Sequence, residues 1–290
     1  MKKKILITGS NGQLGNCLSA SLSNYFDVIP SLKNTTIGSL KLDITDKLNV
    51  KYIIDRIKPD IIINCAAITD VDLCEKNRAQ ARNVNFIGLK NLVKYSKKHT
   101  KLIHISTDYV FDGLKGNYNE KDPTIPLNFY GKTKLEAENF LIGSNRKILI
   151  LRLNGLFSSK LKNKNFFSFV YKSINANRKI SIVDDQISNP VLVELMPEVI
   201  MKAILLDTTG VVHYGSSNVI SRYDFAKQIC MVFKLNALLI EKISSDKLNQ
   251  LAKRPLKTSL DTSKIESILE INTYDTNFCL ELIKTKYILK

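Results

Sequence analysis

Lys4-Ile5-Leu6-Ile7-Thr8-Gly9-Ser10-Asn11-Gly12-Gln13-Leu14-Gly15 joins a short apolar run to three glycines spaced by three and then to the start of an amphipathic stretch. A buried strand that turns abruptly into a helix needs this composition. The glycines permit a tight turn, bring backbone N–H groups close to a ligand and let the helix sit against the strand. The helix N-terminus adds unpaired N–H donors and the positive end of the macrodipole, which suit a pyrophosphate. The stretch therefore predicts a dinucleotide cradle built from Gly9, Asn11, Gly12, Gln13, Leu14 and Gly15. A glycine-rich turn that binds nothing is the plainer alternative; a strand before it and a helix after it weigh against that.

Working outward, short apolar runs alternate with amphipathic stretches up to about residue 155. Ile5-Leu6-Ile7, Val28-Ile29, Ile61-Ile62-Ile63, Leu102 to Ile105 and Ile148 to Leu151 read as strands buried on both faces. Between them, Leu14 to Leu22, Val50 to Ile57 and Val84 to Lys98 space apolar residues three and four apart, as helices packed on a sheet do. The pattern predicts an α/β fold with a doubly wound, Rossmann-like parallel sheet. The regularity fades afterwards, although Phe166 to Ile174 reads as a helix, Val211 to Tyr214 as one more strand, and Ser221 as the cap of a helix through Phe225, Ile229 and Phe233. The expected organisation is a dinucleotide-binding domain over 1–155, rejoined by about 178–218. A smaller C-terminal α/β substrate-binding lobe takes 156–177 and 219–290.

The chain has 290 residues, 44% of them hydrophobic, enough for such a pair of units. Lysine and arginine number 43 against 27 acids, a net charge of +16. The clusters Lys2 to Lys4, Lys97-Lys98 and Lys160 to Lys164 are scattered, and no basic helix carries interleaved aromatics, so specific nucleic-acid binding is not expected. The excess charge suits an anionic small molecule. Cysteines 17, 65, 74, 230 and 279 form no CxxC pair and read as reduced, buried thiols. The apolar run behind Lys4 is too short for an export segment, and no later stretch is long enough to span a membrane. A cytoplasmic protein without a membrane partner is the expectation.

An acid at the end of the second strand would accept from the ribose of NAD, but Val28-Ile29-Pro30-Ser31-Leu32-Lys33 has none. Ser31 and Lys33 suit the additional phosphate of NADP, which tilts the expected cofactor, NADPH or NADH, toward NADPH. Asp43 is placed either to meet the adenine or to cap the next helix.

Tyr130-Gly131-Lys132-Thr133-Lys134 puts Tyr130 and Lys134 one turn apart on one helix face. A phenol with a neighbouring ammonium can deliver or take the proton that accompanies hydride transfer at a carbonyl. Tyrosine and lysine at this spacing arise by chance in a lysine-rich chain. The weight comes from Ser106-Thr107-Asp108, which follows the strand ending at Ile105, because ligands of doubly wound sheets bind beyond the carboxyl ends of strands. A hydroxyl there, Thr107 or Ser106 with Thr107 favoured, completes a hydroxyl, tyrosine and lysine set; the alternative is a pair of hydroxyls that merely cap a strand end. His99, His104 and His213 lack metal-ligand spacing, and Asp72 with Glu75 reads as a helix start more readily than as a magnesium site, so no metal is expected.

Taken together, these segments resemble the extended short-chain dehydrogenases and, within them, the dTDP-4-dehydrorhamnose reductase family. The resemblance rests on Ile7 to Gly15, Leu42 to Asp46, Pro59 to Ala67, Val71-Asp72, Ser106 to Phe111 with Gly113, and Tyr130 to Leu135, in that order, and more thinly on Gly210 to His213 and Arg254 to Asp261. It implies that Tyr130 donates the proton, that Lys134 partners it and holds the nicotinamide ribose, and that Thr107 bonds the substrate carbonyl. It places Gly12, Gln13 and Leu14 at the pyrophosphate, Asp43 and Ile44 at the adenine, and Ala67, Ile68 and Thr69 at the central ribose, with Ala66 and Ile105 also in the cofactor set. Asp108 lies beside the sugar, as does Gly155, and Asn85 braces the active-site helix. The activity implied is NAD(P)H-dependent reduction of the 4-keto group of a nucleotide-linked deoxysugar, in dTDP-rhamnose or a related polysaccharide pathway, by a chain that can pair as a homodimer.

The departures fall where the sugar is chosen. After Arg152 the family has a tryptophan that touches the sugar, whereas this chain reads Leu153-Asn154-Gly155 and has no tryptophan. The segment Asp185 to Val191 also lacks the family's glycine and threonine. A nucleotide-sugar epimerase or dehydratase is the competing enzyme; Tyr109 after Asp108, where dehydratases place a second acid, disfavours it. A cofactor-binding regulatory subunit, like that of methionine adenosyltransferase, is the non-catalytic alternative, and the presence of both Tyr130 and Lys134 speaks against it.

Overall fold

The computed structural model describes residues 2–34 and 39–288. In chain order, β1 (Lys4–Thr8), α1 (Gln13–Leu22), β2 (Asp27–Leu32), β3 (Leu40–Lys41), α2 (Lys47–Ile57) and β4 (Ile61–Asn64) lead to α3 (Val71–Lys76), α4 (Arg78–Arg82) and α5 (Gly88–Tyr95). Next come β5 (Lys101–Thr107), α6 (Phe129–Ile142), β6 (Ile148–Leu153), β7 (Leu156–Phe157), α7 (Phe166–Asn175), β8 (Ile180–Val183), β9 (Ile187–Ser188) and β10 (Val191–Leu192). The chain continues through α8 (Met196–Leu205), β11 (Gly210–Tyr214), β12 (Ile220–Ser221), α9 (Arg222–Phe233), β13 (Ile240–Ile243), α10 (Ser263–Leu269) and α11 (Thr276–Leu282).

Seven parallel strands form the central sheet in the order β11-β6-β5-β4-β1-β2-β3. Strand alternation explains how both faces are covered. Ile5, Ile7, Ile61, Ile63, Leu149 and Leu151 face α1 and α8, meeting Leu14, Leu18, Leu22, Val199 and Ile200. Leu6, Ile62, Leu102 and Ile150 face the other way, toward Val50 and Ile53 of α2, Leu89 and Leu92 of α5, and Ala137 and Leu141 of α6. Each fully buried Leu or Ile contributes roughly 1.5–3 kcal/mol, so neither face tolerates a polar residue without a partner. Because β1 pairs with β2 on one side and β4 on the other, the chain reverses its winding there and opens a crevice beyond the strand ends.

A second cluster gathers Phe167, Val170 and Ile174 of α7, Phe225 and Ile229 of α9, Leu280 of α11, and Ile180 and Ile182 of β8. β8 pairs with β13, so the return to the main sheet comes later than residue 178, through α8 and β11. α10 likewise departs from the expected lobe: Ile265 and Leu269 pack in the cluster of the main sheet. The expected helix from Val84 to Lys98 is interrupted, since Asn83–Ile87 is a π-helical turn ahead of α5. Asn85 there turns its side chain inward to bond the Ile68 backbone and Thr133 of α6. No described helix is long and apolar enough to cross a membrane.

Candidate active site

A cleft of about 510 Å³ lies beyond the C-terminal ends of β1, β4, β5 and β6. One wall is the glycine turn, the strand ends and α6; the facing wall brings Phe166, Gln186, Ser188, Arg222, Leu256 and Thr258 from the second cluster and the loops around it.

At the glycine turn, Gly9 has φ +65°, and a Cβ there would fall 2.8 Å from the Ala66 backbone. A Cβ on Gly15 would sit 2.4 Å from the Gly9 carbonyl oxygen, so only glycine lets α1 approach the turn. Gly12 is the N-cap of α1 and offers no side chain to it. The first helical bond runs from Asn16 N–H to the Gly12 carbonyl, which leaves the N–H groups of Gln13, Leu14 and Gly15 without helical partners at the edge of the cleft. Those features fit a dinucleotide pyrophosphate.

The remaining residues expected around a cofactor divide. Ala67, Thr69 and Ile105 line the cleft, together with Cys65. Ala66 and Ile68 sit just behind it: Ala66 N–H donates to Thr8 Oγ1, and Ile68 is clamped through both backbone groups by Asn85. Asn11 is exposed at the turn. Ile44 is a core residue whose side chain packs under Gly88. Ser31 corrects the expectation from the sequence: it is fully buried and its hydroxyl donates to the Ile7 carbonyl, so it cannot reach a phosphate. Lys33 is exposed and pairs with Asp43 at 3.0 Å. Asp43 accepts from Thr45, while Asp46 is the residue that caps α2.

α6 presents the tyrosine and lysine. Asn128 caps it by accepting from Gly131 N–H, and Glu75 accepts from Phe129 N–H at 2.6 Å. Gly131 packs so closely that a Cβ would lie 2.2 Å from the Tyr109 carbonyl, which is how the helix comes against the end of β5. Tyr130 and Lys134 both line the cleft. Burial pushes the Tyr130 phenol well above its usual range, against which a hydrogen bond with Thr107 acts. Tyr109 packs edge-on against it, ring centroids 6.0 Å apart. Lys134 Nζ donates to the Ile105 carbonyl at 2.6 Å and meets His104 Nε2 at 3.0 Å, and it makes no hydrogen bond to the phenol. Burial lowers it to about 8.

The two hydroxyls at the end of β5 have different surroundings. Ser106 donates to Glu138, which is also held by Arg152 through a bidentate buried pair. Thr107 faces Tyr130 and donates to Asp108 Oδ1 at 3.0 Å. Asp108 is buried in the cleft wall and burial raises it to about 6. Asp72 and Glu75 do not converge: Asp72 binds Arg254, and Glu75 binds Arg78 and Phe129 N–H.

Gly155 lines the cleft, and a Cβ there would meet nothing within 4 Å. Several lining residues have no marker in the sequence. Arg222 opens α9 and lies over the Phe166 ring at 5.3 Å. Gln186 is only 7% exposed, yet its Nε2 lacks a hydrogen-bond partner among the described residues. The Arg254 to Asp261 segment was visible as a motif, but nothing in it announces that Thr258 faces the cleft. His104, which reaches Lys134 from behind, and Asn64, which bonds His104, are hidden inside strand patterns.

Residues 2–283 match the family model described as RmlD substrate binding domain. A dTDP-4-dehydrorhamnose reductase of Aggregatibacter actinomycetemcomitans is 33% identical, over 97% of this chain and 98% of that protein. The spore coat polysaccharide biosynthesis protein SpsK of Bacillus subtilis is 30% identical, over 91% and 90% respectively. Among solved structures, a dTDP-4-dehydrorhamnose reductase of Bacillus anthracis in complex with NADP superposes with TM-score 0.91 at 31% identity, covering 98% of this chain and 99% of that one. A full-length family match and relatives at this identity converge on one assignment: the chain belongs to the dTDP-4-dehydrorhamnose reductase family.

Proposed function

We propose that the chain reduces the 4-keto group of a nucleotide-linked deoxysugar with NADPH or NADH, as a dTDP-4-dehydrorhamnose reductase does, and so supplies a sugar for polysaccharide biosynthesis. The observation that carries this is the meeting of Thr107, Tyr130 and Lys134 in the same cleft as the glycine turn. The names of the relatives point to the same substrate class.

Gly9, Gly12, Gln13, Leu14 and Gly15 would hold the pyrophosphate, and Ala67, Thr69 and Lys134 the nicotinamide half. When bound, the cofactor supplies a hydride to the carbonyl carbon. Thr107 would turn its one O–H from Asp108 to the carbonyl oxygen, and Tyr130 would deliver the proton to it. A general acid works best near the working pH, so the buried phenol would rely on the Lys134 charge in the same cleft and on the bound cofactor to bring it down. Lys134, donating to the Ile105 carbonyl and lying beside His104 Nε2, would bring its charge to the cleft that it lines.

The sugar end would meet Asp108, Gln186 and Thr258, with Arg222 offering a cation to the diphosphate. The opening beside Gly155 favours a sugar that needs more room than the family's tryptophan leaves. Exposed Lys33 supports NADPH, as does the NADP complex of the Bacillus anthracis relative. Five unpaired cysteines, all partly or fully buried, favour a reducing, cytoplasmic setting. The test is turnover of a panel of dTDP-, UDP- and GDP-4-keto sugars with both reduced cofactors. Oxidation of NADPH with a dTDP-linked 4-keto sugar is expected; binding of cofactor with no turnover of any member contradicts the proposal.

A further inference from the structure

A row of side chains runs behind the cleft across three adjacent strands and ends on Lys134. Thr8 Oγ1 of β1 lies 2.6 Å from Asn64 Oδ1 of β4, Asn64 Nδ2 lies 3.2 Å from His104 Nδ1 of β5, and His104 Nε2 lies 3.0 Å from Lys134 Nζ. All four residues are at most 3% exposed. Thr8 also accepts from Ala66 N–H, so the row begins directly under the glycine turn.

Donor counting makes this row more than packing. A neutral imidazole donates from one nitrogen and accepts at the other, whereas an ammonium only donates. When Lys134 is charged, Nε2 of His104 must accept and Nδ1 must carry the proton. Asn64 then has to present its carbonyl oxygen to Nδ1 and its amide nitrogen to Thr8, whose hydroxyl serves in either role. When Lys134 is neutral the row takes the orientation seen here: Thr8 donates to Asn64 Oδ1, Asn64 Nδ2 donates to Nδ1, and Nε2–H donates to the amine. The lysine charge is therefore tied to the tautomer of His104 and to the orientation of Asn64. The row stops at Thr8, which is 1% exposed, so it holds the ammonium without conducting protons to solvent.

We infer that His104 is a positioning residue for Lys134: its Nε2 accepts from the ammonium once the Asn64 amide turns end for end from the arrangement seen here, so the lysine charge and the Asn64 orientation change together. Together with the Ile105 carbonyl, His104 takes two of the three ammonium donors and leaves one for the cleft. Besides Tyr130, one turn back on α6, the charged or titratable groups around Lys134 are Glu138, one turn onward, and the Cys65 thiol after the end of β4. Glu138 is committed to Arg152, and burial raises Cys65 to about 12, so neither replaces the imidazole as an acceptor. His104 itself stays neutral because burial and the Lys134 charge both push it down.

The inference rests on the reductase reading for its kinetic test, and on nothing but the fold for its spectroscopic one. Loss of the acceptor disfavours charged Lys134, so in His104→Phe the alkaline limb of the pH profile of kcat/KM should move down by about one pH unit, with kcat about tenfold lower. His104→Gln, which returns an acceptor oxygen, should restore most of both. Asn64→Asp, which adds a negative charge and holds Nδ1–H, should move the limb upward. An unmoved limb in folded His104→Phe overturns the role. Nitrogen-15 NMR of the wild-type chain at pH 7 gives an independent reading: Nδ1 protonated and Nε2 accepting is expected, and Nε2 protonated overturns the inference even where the variants fail to fold. If the wild type reduces no 4-keto sugar while NMR shows the expected tautomer, the proposed reaction falls and the held lysine stands.

Discussion

Asp72, at the start of α3, and Arg254, from the segment before α10, form a bidentate pair with N···O distances of 2.5 and 2.9 Å. Asp72 also accepts from Ala252 N–H, and Asn128 at the start of α6 donates to the Lys253 carbonyl. These contacts fasten the segment carrying Pro255, Leu256 and Thr258 over the mouth of the cleft.

Asp72→Asn should therefore loosen the sugar side. A severalfold rise in KM for the nucleotide sugar is expected, with cofactor affinity unchanged. The stability cost should stay within about 1 kcal/mol because the carboxylate keeps solvent contact. The Arg254 guanidinium holds Asp72 near a pKa of about 2, so the pair's contribution is present at neutral pH and fades only as pH falls from the usual aspartate value through about 2. Steady-state kinetics with each substrate varied in turn, beside a urea melt, checks both parts.

Gln186 offers the opposite balance. Its buried Nε2 is already unpartnered, so Gln186→Leu breaks no bond of the free protein and should leave stability unchanged or slightly raised. If the amide serves the sugar, KM for the nucleotide sugar should rise about tenfold. An unchanged KM would remove Gln186 from the substrate contacts.

Two glycines make a paired test of the cleft walls. Gly9→Ala forces a side chain into positive φ and against the Ala66 backbone, and should cost more than about 1 kcal/mol together with most of the cofactor affinity. Gly155→Ala meets open space and should change stability by less than about 0.5 kcal/mol. Thermal melts with and without NADPH separate the two.

The pH dependence follows from Lys134. Its folded value of about 8 lies below the usual lysine value, so the ammonium is intact at pH 7 and lost above 8. The expected profile of kcat/KM is flat through neutrality and declines about tenfold per unit beyond the limb. Between about 8 and the unfolded value near 10.4 the unfolded chain binds the additional proton, so this group's contribution to stability rises with pH. Loss of activity there without loss of helical circular dichroism is the predicted signature.

Much of the fold was legible because buried parallel strands leave continuous apolar runs, as in Ile61 to Ile63, and because glycine marks sterically forced turns such as Gly9. The meeting of Tyr130 with the end of β5 was legible for the same reason: a helix position and a strand end are both local features. Ser31 misled because the sequence cannot say which way a strand residue points, and this one turns its hydroxyl into the sheet. The late return to the main sheet was missed because β8 is too short to reveal its partner. Gln186, Arg222 and Thr258 owe their place to long-range packing, and His104 carries a polar role inside an otherwise apolar strand pattern.

The most direct test of the proposed reaction compares wild type with Tyr130→Phe for NADPH oxidation in the presence of a dTDP-4-keto-6-deoxy sugar, alongside NADPH affinity by fluorescence. The phenol as proton donor predicts turnover by the wild type and a loss of roughly 10²–10⁴-fold in kcat with cofactor affinity retained. Turnover by Tyr130→Phe at the wild-type rate would contradict it.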